Sequence, residues 1–142
     1  MYRQTEVGSR SERLVSFYLF ERGHYTCDPH PSESPPFDLV TVRRNKPTLR
    51  FQTKTLSRTS FTKDGSLFYI NGYYDCTAMG GGDWWDVLAG VMGDRIAFIR
   101  MDDPIIPDDK CTFSFTTLPP EERKRNSKKT LYFNDYEDPD WL

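Results

Sequence analysis

Long apolar runs are missing from this chain of 142 residues. Nothing approaches the roughly 18 consecutive apolar residues that a membrane-spanning helix needs, so no membrane span is expected. The opening residues, Met1-Tyr-Arg-Gln-Thr-Glu6, lack the apolar centre of a secretory signal. Cysteine is scarce: Cys27, Cys76 and Cys111 are odd in number, far apart and form no C-x-x-C pair. That argues against a disulfide framework or a cysteine zinc site, and it fits a reducing, cytoplasmic setting with three thiols packed as small hydrophobes. Histidine is limited to His24 and His30, and neither sits in a metal-ligand spacing. No G-x-S-x-G nucleophile motif occurs. Met79-Gly-Gly-Gly-Asp83 is not a phosphate loop, because no Lys-Ser/Thr follows it. A strong charge excess is missing too, the formal net charge being −2.

What is present is a folding chain. Aromatic residues make up 15% and hydrophobic residues 37%, enough for one domain over residues 1–142 with a real core. The charge is unevenly spread. Residues 1–63 carry a balance of +5 and residues 64–142 one of −7, the last stretch from about Asn134 being an acidic tail. Local field matters more than total charge for attracting a polyanion, so the first half is where one would dock.

Apolar residues at Leu14, Val15, Tyr18 and Leu19 predict a helix over 9–22, with Gly23 as its stop and Ser9-x-x-Glu12 in the spacing of a capping box. A short strand is expected at His24–Cys27. The proline-rich stretch 28–36 reads as a loop. Strands at Phe37–Val42 and Leu49–Leu56 form a hairpin through Arg43-Arg-Asn-Lys-Pro47. Phe68–Tyr74 is rich in aromatic strand formers. Trp84–Met92 and Arg95–Arg100 predict a second hairpin around Gly93-Asp94. Cys111–Phe115 reads as a strand, Glu121–Lys129 as a short helix, and the tail as surface-wrapping or loose. A helix followed by an antiparallel-leaning sheet gives an α+β or α/β domain.

In the strand Leu49–Thr55, side chains alternate, so Leu49, Phe51 and Thr53 share one face and Arg50, Gln52 and Lys54 the other. Asp38, on the neighbouring strand of the hairpin, is fourteen residues before Gln52. A carboxylate, an amide oxygen and an ammonium on adjoining rigid strands suit a phosphate under attack. The segments Gly8-Ser-Arg-Ser-Glu12, Ser34-Pro-Pro-Phe-Asp38 and Phe51-Gln-Thr-Lys54 resemble, in order and spacing, the active-site motif of the PD-(D/E)XK nucleases. The closer likeness is to the branch of small homing endonucleases and Holliday-junction resolvases. Trp84 to Ile99 resembles, more loosely, the hairpin that closes the sheet behind that site.

The resemblance implies a restriction-endonuclease-like core: a mixed sheet with a flanking N-terminal helix. It implies a Mg²⁺- or Mn²⁺-dependent DNA endonuclease with Glu12, Asp38, Gln52 and Lys54 at the site. Asp38, Glu12, the Gln52 amide oxygen and the Thr53 carbonyl would ligate the ion, which keeps most of its waters. Gln52 departs from the usual Asp or Glu and brings no negative charge. Lys54 would orient the attacking water or neutralise phosphoryl oxygens. Glu12 has a structural reading as well, through the capping box. For DNA contact the basic residues are Arg43, Arg44, Lys46, Arg58, Lys63, Arg123, Lys124, Arg125, Lys128 and Lys129, of which the last run also reads as a solvated face. Cutting both strands needs two sites, hence a homodimer or homotetramer, with Tyr73, Tyr74, Trp84 and Trp85 as interface or core. A site-specific, homing-type enzyme is the first reading. A junction resolvase, or a non-catalytic DNA-binding module of the same fold, is the alternative.

Overall fold

The computed structural model describes residues 2–28, 38–62, 65–70, 85–104, 114–122 and 130–142. One helix, α1 (Tyr2–Glu21), precedes β1 (Tyr25–Cys27), β2 (Leu39–Arg43), β3 (Lys46–Thr62), β4 (Gly65–Ile70), β5 (Val87–Met92), β6 (Arg95–Arg100), β7 (Ser114–Thr116) and β8 (Thr130–Tyr132). Single 3-10 turns at Pro120–Glu122 and Phe133–Tyr136 complete the described elements.

The class is α+β. A mixed five-stranded sheet runs β1-β2-β3-β5-β6, all pairs antiparallel except β3 with β5. Strand β3 is long enough, at 17 residues, to leave this sheet and enter a second one. There its C-terminal part pairs with β4, β4 with β7, and β7 in parallel with β8.

Two apolar layers follow from the alternation in β3 and β5. Helix α1 lays Val15 and Leu19 on Leu39, Phe51, Val87, Ala89, Val91 and Phe98, all buried. The opposite face of the sheet packs Leu88, Ala97 and Ile99 against Leu56, Trp85, Phe115, Leu131 and Phe133. Each fully buried side chain of this size contributes roughly 1.5–3 kcal/mol of transfer free energy. Trp85 is therefore core, 2% exposed, and not part of an interface. Tyr73, Tyr74 and Trp84 lie outside the described residues.

The helix starts seven residues before the expected position, so Ser9 and Glu12 lie inside it rather than at its cap. Their spacing matches a capping box because residues three apart always share a helix face. The stop is as expected. Gly23 adopts φ +85°, its N–H bonds to the Phe20 carbonyl, and the His24 N–H bonds to that of Leu19, the pairing of a Schellman motif. The β5–β6 turn likewise relies on Gly93 at φ +64°. Between β2 and β3 the left-handed residue is Asn45, which tolerates that conformation better than most.

A further expectation is corrected. Cys27 is exposed rather than buried; Cys76 and Cys111 lie outside the described residues. Of the helix expected over Glu121–Lys129, Glu121 and Glu122 lie in the 3-10 turn Pro120–Glu122, and 123–129 lie outside the described residues. Of the two readings of the tail, the surface-wrapping one describes it. Arg95 bonds to Glu137 and to Asn134 and lies over the Phe133 ring at 4.9 Å, while the Tyr18 hydroxyl donates to Asp138. No helix among the described residues is long and apolar enough to cross a membrane.

Candidate active site

The site is built on the β2–β3 hairpin. Leu39 pairs with Phe51, which sets Asp38 beside Gln52 on the face turned away from α1. The Asp38 N–H donates to the Phe51 carbonyl at 2.7 Å and holds the main chain there. The Asp38 carboxylate accepts the Thr53 N–H at 2.7 Å and the Gln52 side-chain amide at 3.1 Å, both on one oxygen. On its other side β3 pairs with β5, Gln52 opposite Leu88 and Lys54 opposite Gly90. A strand hydrogen-bonded on both edges is a rigid mount for catalytic groups.

The electrostatics are those of a crowded anionic site. Burial pushes the Asp38 pKa up, against the Thr53 N–H and the Lys54 ammonium, which both favour the charged form. Burial also raises Glu12, and the neighbouring charges of Asp38 and Asp28 raise it further. Glu12 thus reaches the field of Asp38 from the flank of α1. Its helix is pinned to β3 by the Ser11–Thr55 hydroxyl pair at 2.7 Å and to β1 by Ser16–Thr26 at 2.6 Å.

Glu12, Asp38, Gln52, Thr53 and Lys54 therefore share one region of the structure. Their donor set for a metal is all oxygen: two carboxylates, one amide oxygen and the Thr53 carbonyl. Hard divalent cations such as Mg²⁺ or Mn²⁺ suit such a set, and a cation there would offset the Asp38 charge that helps to raise the Glu12 pKa. Among the described residues, no group of three or more His, Cys, Asp or Glu side chains is gathered closely enough to hold an ion alone. The residues present fit an ion that retains most of its waters.

The basic residues divide differently. Arg43, Arg44 and Lys46 surround the β2–β3 turn, at the far end of the hairpin. Five residues separate Lys46 from Phe51, roughly 16 Å of strand. Arg43 and Lys46, with Arg22, instead surround the buried ring of His24, whose pKa is lowered by burial and by these cations. Arg58 lies on β3 beyond the site, paired with Phe68 of β4. Lys63, Arg123, Lys124, Arg125, Lys128 and Lys129 lie outside the described residues.

Two features escaped the sequence reading. Asp28, directly after β1, adds a third negative charge near Glu12, and no motif marks it. Asp86 clasps Arg50 with both oxygens, at 3.1 Å each, and accepts the Arg50 main-chain N–H at 2.8 Å. The Asp86 N–H in turn donates to the Arg50 carbonyl at 2.8 Å, fixing the register with which β5 joins β3 beneath the site. Burial opposes the Asp86 charge, but the Arg50 hydrogen bonds outweigh it and hold its pKa down.

No protein-family model matches the chain, and no curated protein matches it. Among solved structures it is similar to a bacterial homing endonuclease, I-Ssp6803I. The TM-score is 0.60, over 92% of this chain and 83% of that one, at 14% sequence identity. The fold is homing-endonuclease-like. At this identity the likeness concerns architecture alone.

Proposed function

We propose that this protein is a metal-dependent DNA endonuclease of the PD-(D/E)XK type, acting at specific sites as a homodimer or homotetramer. The observation that carries the reading is the meeting of Asp38, Gln52 and Lys54 on one face of the β2–β3 hairpin, with Glu12 of α1 in the same electrostatic field. The similar solved structure, a homing endonuclease, supports it through the fold.

In this reading Asp38 and Glu12 hold the Mg²⁺ or Mn²⁺, assisted by the Gln52 amide oxygen and the Thr53 carbonyl. The ion, when bound, acidifies water and withdraws charge from the scissile phosphoryl group. Lys54 supplies a fixed positive charge to that group and orients the attacking water. The Thr53 N–H keeps one oxygen of Asp38 in place. Gln52 adds a ligand oxygen without a third negative charge, so the site attracts its ion less strongly than one with Glu would. Arg43, Arg44 and Lys46, at the far end of the hairpin, would meet DNA phosphates about half a duplex turn away from the chemistry, positioning the duplex rather than reading it.

A second reading, a DNA-binding module without catalysis, draws on Gln52 donating to Asp38 and so occupying that carboxylate. One experiment separates the two. Purified protein is incubated with supercoiled plasmid, linear genomic DNA and a synthetic four-way junction, in Mg²⁺, Mn²⁺ or EDTA, beside Asp38→Ala and Lys54→Ala. Metal-dependent cutting lost in both variants supports the nuclease, and the preferred substrate tells a site-specific enzyme from a resolvase. Binding without cutting in any metal supports the module. Neither binding nor cutting overturns both.

A further inference from the structure

Four large apolar side chains stand out as exposed among the described residues, and two of them, Phe17 at 61% and Phe20 at 62%, lie one turn apart on the outer face of α1. The other two, Tyr25 and Val42, are cross-strand neighbours on β1 and β2. The helix already buries its opposite face, through Val15 and Leu19, in the core. Phe17 and Phe20 belong to neither core cluster. Their transfer to water is unfavourable, and paired phenylalanines on a helix surface mark a contact site.

The residues flanking them say which partner fits. Arg13 lies four positions before Phe17 and Glu21 four positions after it, and all three are exposed. Leu14, packed in part against the core and in part exposed, lies three positions before Phe17, as Phe20 lies three after it. These spacings place all five along one side of the helix. They are also symmetric about Phe17. If a second α1 is laid antiparallel on the first with the twofold axis at Phe17, Phe17 meets its own copy and Phe20 meets the copy of Leu14. Arg13 then meets the copy of Glu21. Every contact occurs twice, as a twofold interface requires. Neither Arg13 nor Glu21 makes an ion pair among the described residues, so both charges remain available for it.

We propose that the outer face of α1 is the surface on which two copies of this chain associate, antiparallel and centred on Phe17. This deepens the oligomer put forward above but does not depend on nuclease activity. The surface lies on the far side of α1 from Phe51 and the sheet, so pairing through it leaves the Asp38 face of each copy open.

The test is sedimentation equilibrium of the protein in the absence of DNA, with circular dichroism of every variant. Wild type is expected as a dimer, and Phe17→Ser/Phe20→Ser as a monomer with an unchanged spectrum. Because both side chains already face solvent, this variant should still fold. Arg13→Glu and Glu21→Arg should each weaken association about tenfold, and the two together should restore it, since the swap recreates the cross-pair with reversed sign. A wild type that stays monomeric overturns the proposal. So does a dimer indifferent to the phenylalanines, or a double charge swap no better than the single ones. Because assembly is read without DNA or metal, failure here leaves the nuclease reading untouched, and loss of cutting in the plasmid assay leaves this one untouched.

Discussion

Gln52 donates its side-chain amide to the Asp38 carboxylate at 3.1 Å, a contact that a glutamate in its place could not make. An acid at that position would instead set a second negative charge beside a carboxylate whose pKa burial has already raised. Gln52→Glu should therefore destabilise the metal-free protein at neutral pH by about 1–3 kcal/mol. It should also tighten Mg²⁺ or Mn²⁺ binding and regain part of the loss when metal is added. Urea unfolding with EDTA and with metal reads both signs. Equal destabilisation in the two conditions would show that no ion binds between these side chains.

The Arg50–Asp86 clasp sets the register between β3 and β5, and its geometry is that of a two-pronged guanidinium–carboxylate pair. A lysine cannot span both oxygens. Arg50→Lys should cost about 1 kcal/mol, a modest figure because both side chains are about one-third exposed. Thermal unfolding measures it. An unchanged midpoint would mean the main-chain bonds alone hold the register.

His24 is 1% exposed, and its neighbours Arg43, Lys46 and Arg22 disfavour a positive charge on it. Its pKa in the folded state is lowered, so the unfolded chain binds the proton more readily. The stability that neutral His24 permits is present above its unfolded value of 6.5 and is lost as pH falls through the lower folded value. His24→Leu removes this titration. Unfolding free energies of wild type and variant, compared from neutral pH downward, should converge as the wild type loses stability. Parallel curves would exclude His24 as the source.

Gly93 turns β5 into β6 at φ +64°, where a Cβ strains the backbone although nothing lies within 4 Å of its position. Gly93→Ala should destabilise by about 1 kcal/mol and Gly93→Asn by less, since asparagine tolerates that region. Chemical denaturation ranks the three proteins, and equal stability of Ala and Gly would contradict the strain.

Local physics explains which parts of the fold were legible in the sequence. The end of α1 was readable because Gly23 is required for the turn that closes it. The β2–β3 and β5–β6 hairpins were readable because alternation and turn residues act over a few positions. That Asp38, Gln52 and Lys54 lie together was readable because Gln52 and Lys54 share a strand face by parity and Asp38 directly precedes the paired strand. The parallel pairing of β3 with β5 was not legible, since Arg50 and Asp86 are joined across 36 positions by tertiary packing alone. Nor was the choice between a surface-wrapping and a loose tail, which depends on Arg95 finding Glu137. The capping-box spacing at Ser9 and Glu12 pointed to a helix start that lies further upstream, because the same spacing recurs along any helix.

Strand β3 carries Asp38's partners in its first half and builds the second sheet with its last. At about 3.3 Å per residue it is a beam of some 55 Å, and a beam transmits twist. A load placed on the β3–β4 pairing would therefore reach, along one continuous strand, the backbone that orients Gln52 and Lys54.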